Sequence, residues 1–267
     1  MTKPRPEIPL YNTPIIETHF HLDYLKSLSR DEIIARSLKQ NIEKMITIAV
    51  SPDNLETAVE LAMEYPTIYC TQGIHPHNAK DWNPDVKSII LNNIKKHKVV
   101  AVGEIGLDYH YSKSPKENQI AAFEEQLQLA VDFNLPAVIH TRDADEDTIA
   151  IIKNFSSLLK RRAVIHSFTS GLELAKFAIG LNFYIGFNGI ITFKNAQNVR
   201  DALNITPVEN ILLETDAPFL TPDPYRGVEN APYYLPFVAK KIAEEKHIAV
   251  EDLLQHAYEN TKNLFSF

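Results

Sequence analysis

The sequence predicts an α/β chain folded as a (β/α)8 barrel, and three observations carry that prediction. Short apolar, β-branched runs alternate with longer amphipathic stretches along all 267 residues, which calls for parallel strands joined by right-handed helical crossovers. The runs are continuously apolar rather than alternating, as strands buried on both faces are. There are eight of them, and eight strand–helix units in about 250 residues is the size of such a barrel. The alternative is an open doubly wound sheet. It wants a Gly-rich phosphate turn after an early strand, and no G-x-G-x-x-G occurs. No repeat, linker or break in composition divides the chain, so residues 1–267 are expected to form one barrel domain.

The elements follow in order. Residues 1–14, MTKPRPEIPLYNTP, hold Pro4, Pro6, Pro9 and Pro14 without an apolar stretch and are expected to be an extended lead-in. Strands are expected at 15–18, 45–50, 67–71, 99–102, 136–139, 163–165, 182–185 and 210–213. Between them, helical patterns cover 31–39, 54–64, 84–96, 115–133, 145–159, 172–179 and 195–203, and two more follow at 233–245 and 250–263. Ser51-Pro52 and Ser114-Pro115 place a proline at a first helical position behind a capping serine.

Composition narrows the function. With 23% charged and 45% hydrophobic residues, 8 Gly and 16 Pro, the chain is neither disordered nor fibrous. A single cysteine, Cys70, excludes a disulfide framework and a cysteine-based zinc site, and suits a reducing, cytoplasmic setting. A net charge of −7 argues against a basic surface built to grip nucleic acid. No apolar run approaches the roughly 20 residues of a membrane helix, so no membrane partner is expected, and no obligate protein partner is evident.

The 10 histidines are more telling, because six fall at the carboxyl ends of the predicted strands, where barrel chemistry is found. Strand one ends in Glu17-Thr18-His19-Phe20-His21, and residues two apart project to one face, so His19 and His21 can converge on one ion. Strand three runs into Gly73-Ile74-His75-Pro76-His77. Three further apolar runs stop at Glu104, His140 and His166, and Asp216 follows strand eight. Taken singly, each has a bland explanation: a satisfied core histidine, an ion-pairing Glu104, a turn-capping Asp216. An ordinary core does not stop run after run at an imidazole or a carboxylate. Four imidazoles with two carboxylates suit zinc, manganese, iron, cobalt or nickel better than a pure magnesium site. Six ligands are too many for one tetrahedral ion and suit two divalent cations sharing a carboxylate.

The segments ETHFHLD, QGIHPHNA, AVGEIGLDYH, VIHTRDAD, VIHSF, GFNGIITFKNA and LLETDAPFLTPDPYRG resemble, in order, the blocks of the TatD family of metal-dependent deoxyribonucleases, within the amidohydrolase superfamily. They span residues 17 to 227, and the final helices also fit. Carried over residue by residue, the resemblance implies one ion held by His19, His21, Glu104 and Asp216 and a second by Glu104, His140 and His166, with Glu104 bridging. Many relatives in the superfamily use a carbamylated lysine there, and the direct carboxylate favours the TatD branch. Glu17 stands where the family more often has Asp, and is expected to support the site from behind.

The expected reaction is hydrolysis of a DNA phosphodiester, since a pair of ions lowers the pKa of a bound water toward about 7. Asp216 would accept the proton and deliver it to the leaving oxygen, with Glu104 as the second catalytic carboxylate. Arg142, after strand five, and Arg226, in Pro-Tyr-Arg-Gly, are candidate phosphate contacts, with Lys194 ranked below them. Arg142 could instead pair with Asp143 or Asp145. His75 and His77 are read as loop residues beside the substrate rather than ligands, and Tyr109, His110 and Trp82 as rings that stack on a base or cover the barrel mouth. Without a basic face, attraction to duplex DNA is weak, which favours single-stranded or end-bound substrates and agrees with the family's 3′–5′ exonuclease activity. The same site could instead hydrolyse a small ester or amide, or an aminoacyl-tRNA ester, and a non-catalytic binding barrel is a third reading.

Overall fold

The computed structural model describes residues 5–267, so Pro4 and the start of the expected lead-in lie outside it. Eight strands run in sequence as β1 (Ile15–Phe20), β2 (Ile42–Thr47), β3 (Ile68–Gln72), β4 (Val99–Asp108), β5 (Ala137–Arg142), β6 (Ala163–Ile165), β7 (Tyr184–Phe187) and β8 (Ile211–Leu213). Each pairs in parallel with the next. The ring closes where the Asp216 amide donates to the His19 carbonyl at 2.9 Å and the His21 amide to the Ala217 carbonyl at 2.8 Å. Helices α1 (Arg30–Lys39), α2 (Leu55–Glu64), α3 (Pro84–Asn93), α4 (Lys116–Asp132), α5 (Asp145–Phe155), α6 (Leu172–Gly180) and α7 (Gln197–Ile205) connect successive strands. Two more, α8 (Leu235–Lys246) and α9 (Val250–Phe265), follow β8. This is the (β/α)8 barrel that the alternation predicts.

Strand periodicity separates two cores. Ala137, Ile139, Ala163, Ile165, Ile211 and Leu213 pack outward with the helices. Val138, Val164, Tyr184 and Leu212 pack with Ile46, Ile48 and Val100 from across the ring, which is possible only through its interior. Leu264 and Phe265, at the end of α9, join this inner cluster and close the barrel floor. Two residues further along three of these strands, the inward position changes character. Val138 is followed by His140, Val164 by His166 and Leu212 by Glu214. The barrel interior is therefore apolar at the floor and ionisable at the mouth.

Some boundaries differ from the expectation. β4 continues through Asp108, because Ile105 and Leu107 keep it paired with β5, so Glu104 sits within the strand rather than at its end. Gly106 permits this: its φ is +137° and a Cβ there would overlap the His140 carbonyl. Pro115 caps α4 from outside rather than opening it. β2 stops at Thr47, so residues 48–50 leave the strand still buried. The described part of the lead-in, residues 5–14, is irregular and tied down by Tyr225 Oη donating to the Pro6 carbonyl and by Asn12 and Thr13 amides donating to Glu251.

Candidate metal centre

The site begins with a carboxylate that no solvent reaches. Glu17 Oε1 accepts the amides of His19 at 3.0 Å and Thr215 at 2.9 Å, which locks β1 to the segment after β8. Burial pushes its carboxyl up to about 8. With the backbone held this way, His19 and His21 project inward, and Asp216 meets them from the other side of the seam. Asp216 has φ +58°, a left-handed conformation that Asp tolerates better than most residues. Its Oδ1 lies 3.6 Å from His21 Nε2 and 3.8 Å from His19 Nε2.

Glu104 is the centre of the arrangement. Its Oε2 lies 3.4 Å from His19 Nε2, while its Oε1 lies 2.7 Å from His166 Nε2 and 3.0 Å from His140 Nδ1. The two oxygens of one carboxylate thus face two different sets of imidazoles. Burial opposes the charge of Glu104, yet His166 and His75 beside it hold its carboxyl well below the usual range. Burial likewise opposes charging of His166, and the Glu104 carboxylate outweighs it and raises the imidazole well above its ordinary value.

The donors fit divalent cations. His19 Nε2, which faces Glu104 and Asp216, is buried without a hydrogen-bond partner, a state that a core avoids unless another ligand satisfies it. Two donor atoms that share an ion at about 2.1 Å in tetrahedral geometry sit roughly 3.4 Å apart. The separations of His19 from Glu104 and of His21 from Asp216 match that spacing and are too long for strong hydrogen bonds. Nitrogen and carboxylate donors together suit zinc and its first-row neighbours.

Behind these residues stands an outer ring that sequence reasoning did not single out. Asp108 Oδ2 lies 3.1 Å from His140 Nε2 and 3.0 Å from His77 Nε2, so it fixes His140 with Nδ1 turned inward. Glu214 Oε1 accepts the Ser167 amide at 2.6 Å and lies 3.7 Å from His166 Nδ1. A Cβ on Gly186 would overlap the Glu214 carboxylate, so the glycine leaves room for it. A signal existed for both: Glu214 repeats the inward register of His140 and His166, and Asp108 lies four residues past Glu104 on the same strand face.

The remaining candidates divide. His75 points at the centre, its Nε2 3.3 Å from Glu104 Oε1. Its Nδ1 accepts the His77 amide at 3.1 Å, which places the proton of the neutral ring on Nε2. Burial pulls His75 down to about 4, so near neutral pH it presents an N–H donor rather than a lone pair. His77 lines the same cavity. Arg142 does too; Asp143 pairs instead with His110, and Asp145 accepts the Gly171 amide. Among the described residues no carboxylate lies within ion-pair distance of the Arg142 guanidinium. Arg226 is not brought to this cavity; its guanidinium stacks on Phe193 at 3.7 Å. Lys194 and Trp82 also lie outside the cavity lining, His110 stays with Asp143, and Tyr109 turns to Asp147. The cavity itself, about 740 Å³, adds Lys80 and Lys113, two loop cations that no spacing announced.

A parallel barrel with buried imidazoles and carboxylates converging at the carboxyl ends of its strands defines a metal-dependent hydrolase. The chain belongs to the TatD family: the family model described as TatD related DNase matches residues 16–266. It is 38% identical over 252 residues to the uncharacterized metal-dependent hydrolase YabD of Bacillus subtilis, covering 94% of this chain and 98% of that one. It is 32% identical to the 3′-5′ ssDNA/RNA exonuclease TatD of Salmonella typhimurium, over 80% of this chain and 84% of that one. The solved structure of YJJV, a TatD homolog from Escherichia coli, superposes with a TM-score of 0.89 at 30% identity, covering 95% of this chain and 98% of that chain. No described helix is long and apolar enough to cross a membrane.

Proposed function

We propose that this hydrolase is a nuclease that cleaves DNA phosphodiesters from a free single-stranded end. The observation that carries the reading is the divided carboxylate of Glu104, one oxygen toward His19 and the other toward His140 and His166. His19, His21, Glu104 and Asp216 would hold one divalent cation, and Glu104, His140 and His166 a second. Bound there, the pair would supply Lewis acidity and lower the pKa of a water toward about 7.

The chain's own groups do the rest. Asp216, through the carboxylate oxygen not turned to His19 and His21, would take a proton from the attacking water and return it to the leaving oxygen. His75 offers its Nε2 proton, and Arg142 its free guanidinium, to the non-bridging oxygens of the phosphate. Asp108 and Glu214 keep His140 and His166 in the orientation that leaves Nδ1 and Nε2 facing inward. The exonuclease name of the Salmonella relative supports a 3′–5′ polarity. The test is metal analysis of the purified protein, then digestion of 3′- and 5′-labelled single strands beside a closed circle. Stepwise loss of the 3′ label with the circle intact is expected. Equal cleavage of the circle overturns the end-bound reading, and turnover of acyl esters with none of phosphodiesters overturns the nuclease reading.

A further inference from the structure

The chain holds 13 Phe, 11 Tyr and one Trp. Among them only Tyr24, Phe219 and Tyr111 are exposed, at 36%, 51% and 55%, and all three line the cavity above Glu104. Chance would scatter exposed rings over the surface. Tyr24 follows β1 and Phe219 follows β8, and both flank His21, Tyr24 stacked at 5.1 Å and Phe219 edge-on at 6.1 Å. Tyr111 lies beyond β4, edge-on to His77 at 5.5 Å, with the Arg142 guanidinium 5.3 Å and the Lys113 ammonium 5.7 Å from its ring centre. In the ring order, β8 and β1 face β4 and β5 across the mouth. Exposed rings therefore stand on both sides of the metal centre, each next to a different set of imidazoles.

A second cavity of about 940 Å³ adjoins the first along Arg142, Thr169, Ile190 and Leu220. Asp143, Asp145, Glu146 and Asp147 line it against only Lys116 and Arg142, so the wall is net negative and repels a polyanion. A strand crossing the mouth is thus turned away from the start of α5 and kept on the line between the two aromatic sides.

We propose that Tyr24 with Phe219, and Tyr111 opposite, are stacking platforms for the two nucleobases that flank the scissile phosphate, so that unpaired bases select the substrate. The proposal rests on the nuclease reading and deepens it. Bases within a duplex have their faces covered and cannot use the rings, whereas an unpaired end can, and stacking of this kind is indifferent to sequence. Lys113 and Arg142 beside Tyr111 place cations where the backbone would follow the base.

The test compares two single strands, an eight-thymidine oligomer and one of equal length in which tetrahydrofuran abasic units replace the nucleotides. Tyr24→Leu, Phe219→Leu and Tyr111→Leu remove the rings singly at exposed positions. Each is expected to raise KM for the thymidine strand about tenfold and leave the abasic strand unchanged, with Tyr111→Phe and Phe219→Trp close to wild type. Binding of a labelled phosphorothioate thymidine strand to the metal-loaded protein, followed by fluorescence anisotropy, provides a readout without turnover and should weaken in parallel. If the leucine variants treat both strands alike, or Tyr111→Phe is as impaired as Tyr111→Leu, the platforms are overturned while cleavage keeps the nuclease reading. Ring-dependent binding without cleavage of either strand overturns the nuclease reading and keeps the platforms. Neither binding nor cleavage overturns both.

Discussion

The floor and the mouth of this barrel are built from the same strands and obey opposite rules. At the floor, Val138, Val164, Tyr184 and Leu212 meet Leu264 and Phe265 in close apolar packing. Two residues further along, the mouth buries histidines and carboxylates, leaves His19 and His21 nitrogens unpartnered, and twists Asp216 and Ser167 into positive φ. A protein rarely spends stability this way without a chemical return. The difference teaches that the floor holds the fold together and the mouth is tolerated by it.

That contrast can be broken, and the largest effects should come from the mouth. Glu104→Gln and Asp216→Asn are each expected to lower turnover at least about 1000-fold while leaving the thermal midpoint of the metal-stripped protein close to wild type. Steady-state kinetics and a melting curve check this, and a large loss of stability would show that these carboxylates hold the fold. The mirror experiment is Phe265→Ala at the floor. It should cost about 3–5 kcal/mol, a drop of roughly 10 °C in Tm, with kcat at 25 °C unchanged. Calorimetry with kinetics on the same sample decides whether the two ends are separable.

Smaller effects sharpen the comparison within the mouth. Glu214→Gln should weaken metal binding about 10- to 100-fold, because His166 loses the anion that orients it, and titration calorimetry of the stripped protein measures it. Re-adding metal at 100 times its Kd should stabilise the folded state by about 2.7 kcal/mol, visible as a rise in Tm. The smallest effect, counted per pH unit, concerns Glu17. Its carboxyl is raised to about 8 in the folded chain from 4.5, so between those values the folded state binds more protons than the unfolded one. Stability must then fall as pH rises through that window, by at most about 1.4 kcal/mol per unit. Melting of the metal-stripped protein from pH 5 to 8 should show the decline, and Glu17→Gln should make it shallower, leaving the share of the raised His166 imidazole.

Much of the site was legible because an ionisable side chain interrupts an apolar pattern. His140 and His166 end apolar runs at positions where a buried strand otherwise continues in Val or Ile, and Glu104 interrupts one in the same way, so each stands out without any knowledge of its neighbours. Asp108 and Glu214 did not, since a carboxylate that orients an imidazole looks in sequence like any acid beside a strand. The rim was less legible still. Trp82, Tyr109 and His110 are aromatic residues near strand ends, yet Trp82 lies outside the cavity lining, Tyr109 turns to Asp147 and His110 to Asp143, while Tyr24, Tyr111 and Phe219 remain open. Arg226 went to Phe193 for the same reason: the path of a loop in space, not its composition, decides what a side chain reaches.

By itself the sequence determined the eight alternating units, the carboxyl-end placement of the chemistry and the residue types that converge there. These follow from hydrophobic periodicity and from the cost of burying polar groups, both local properties of the chain. Only the tertiary structure decided which oxygen of Glu104 faces which imidazole, which nitrogen of His140 and His75 points inward, and which rings stand open at the mouth. Those depend on contacts between residues far apart in the chain, such as Asp108 with His77 and Glu17 with Thr215, which exist only once the ring has closed.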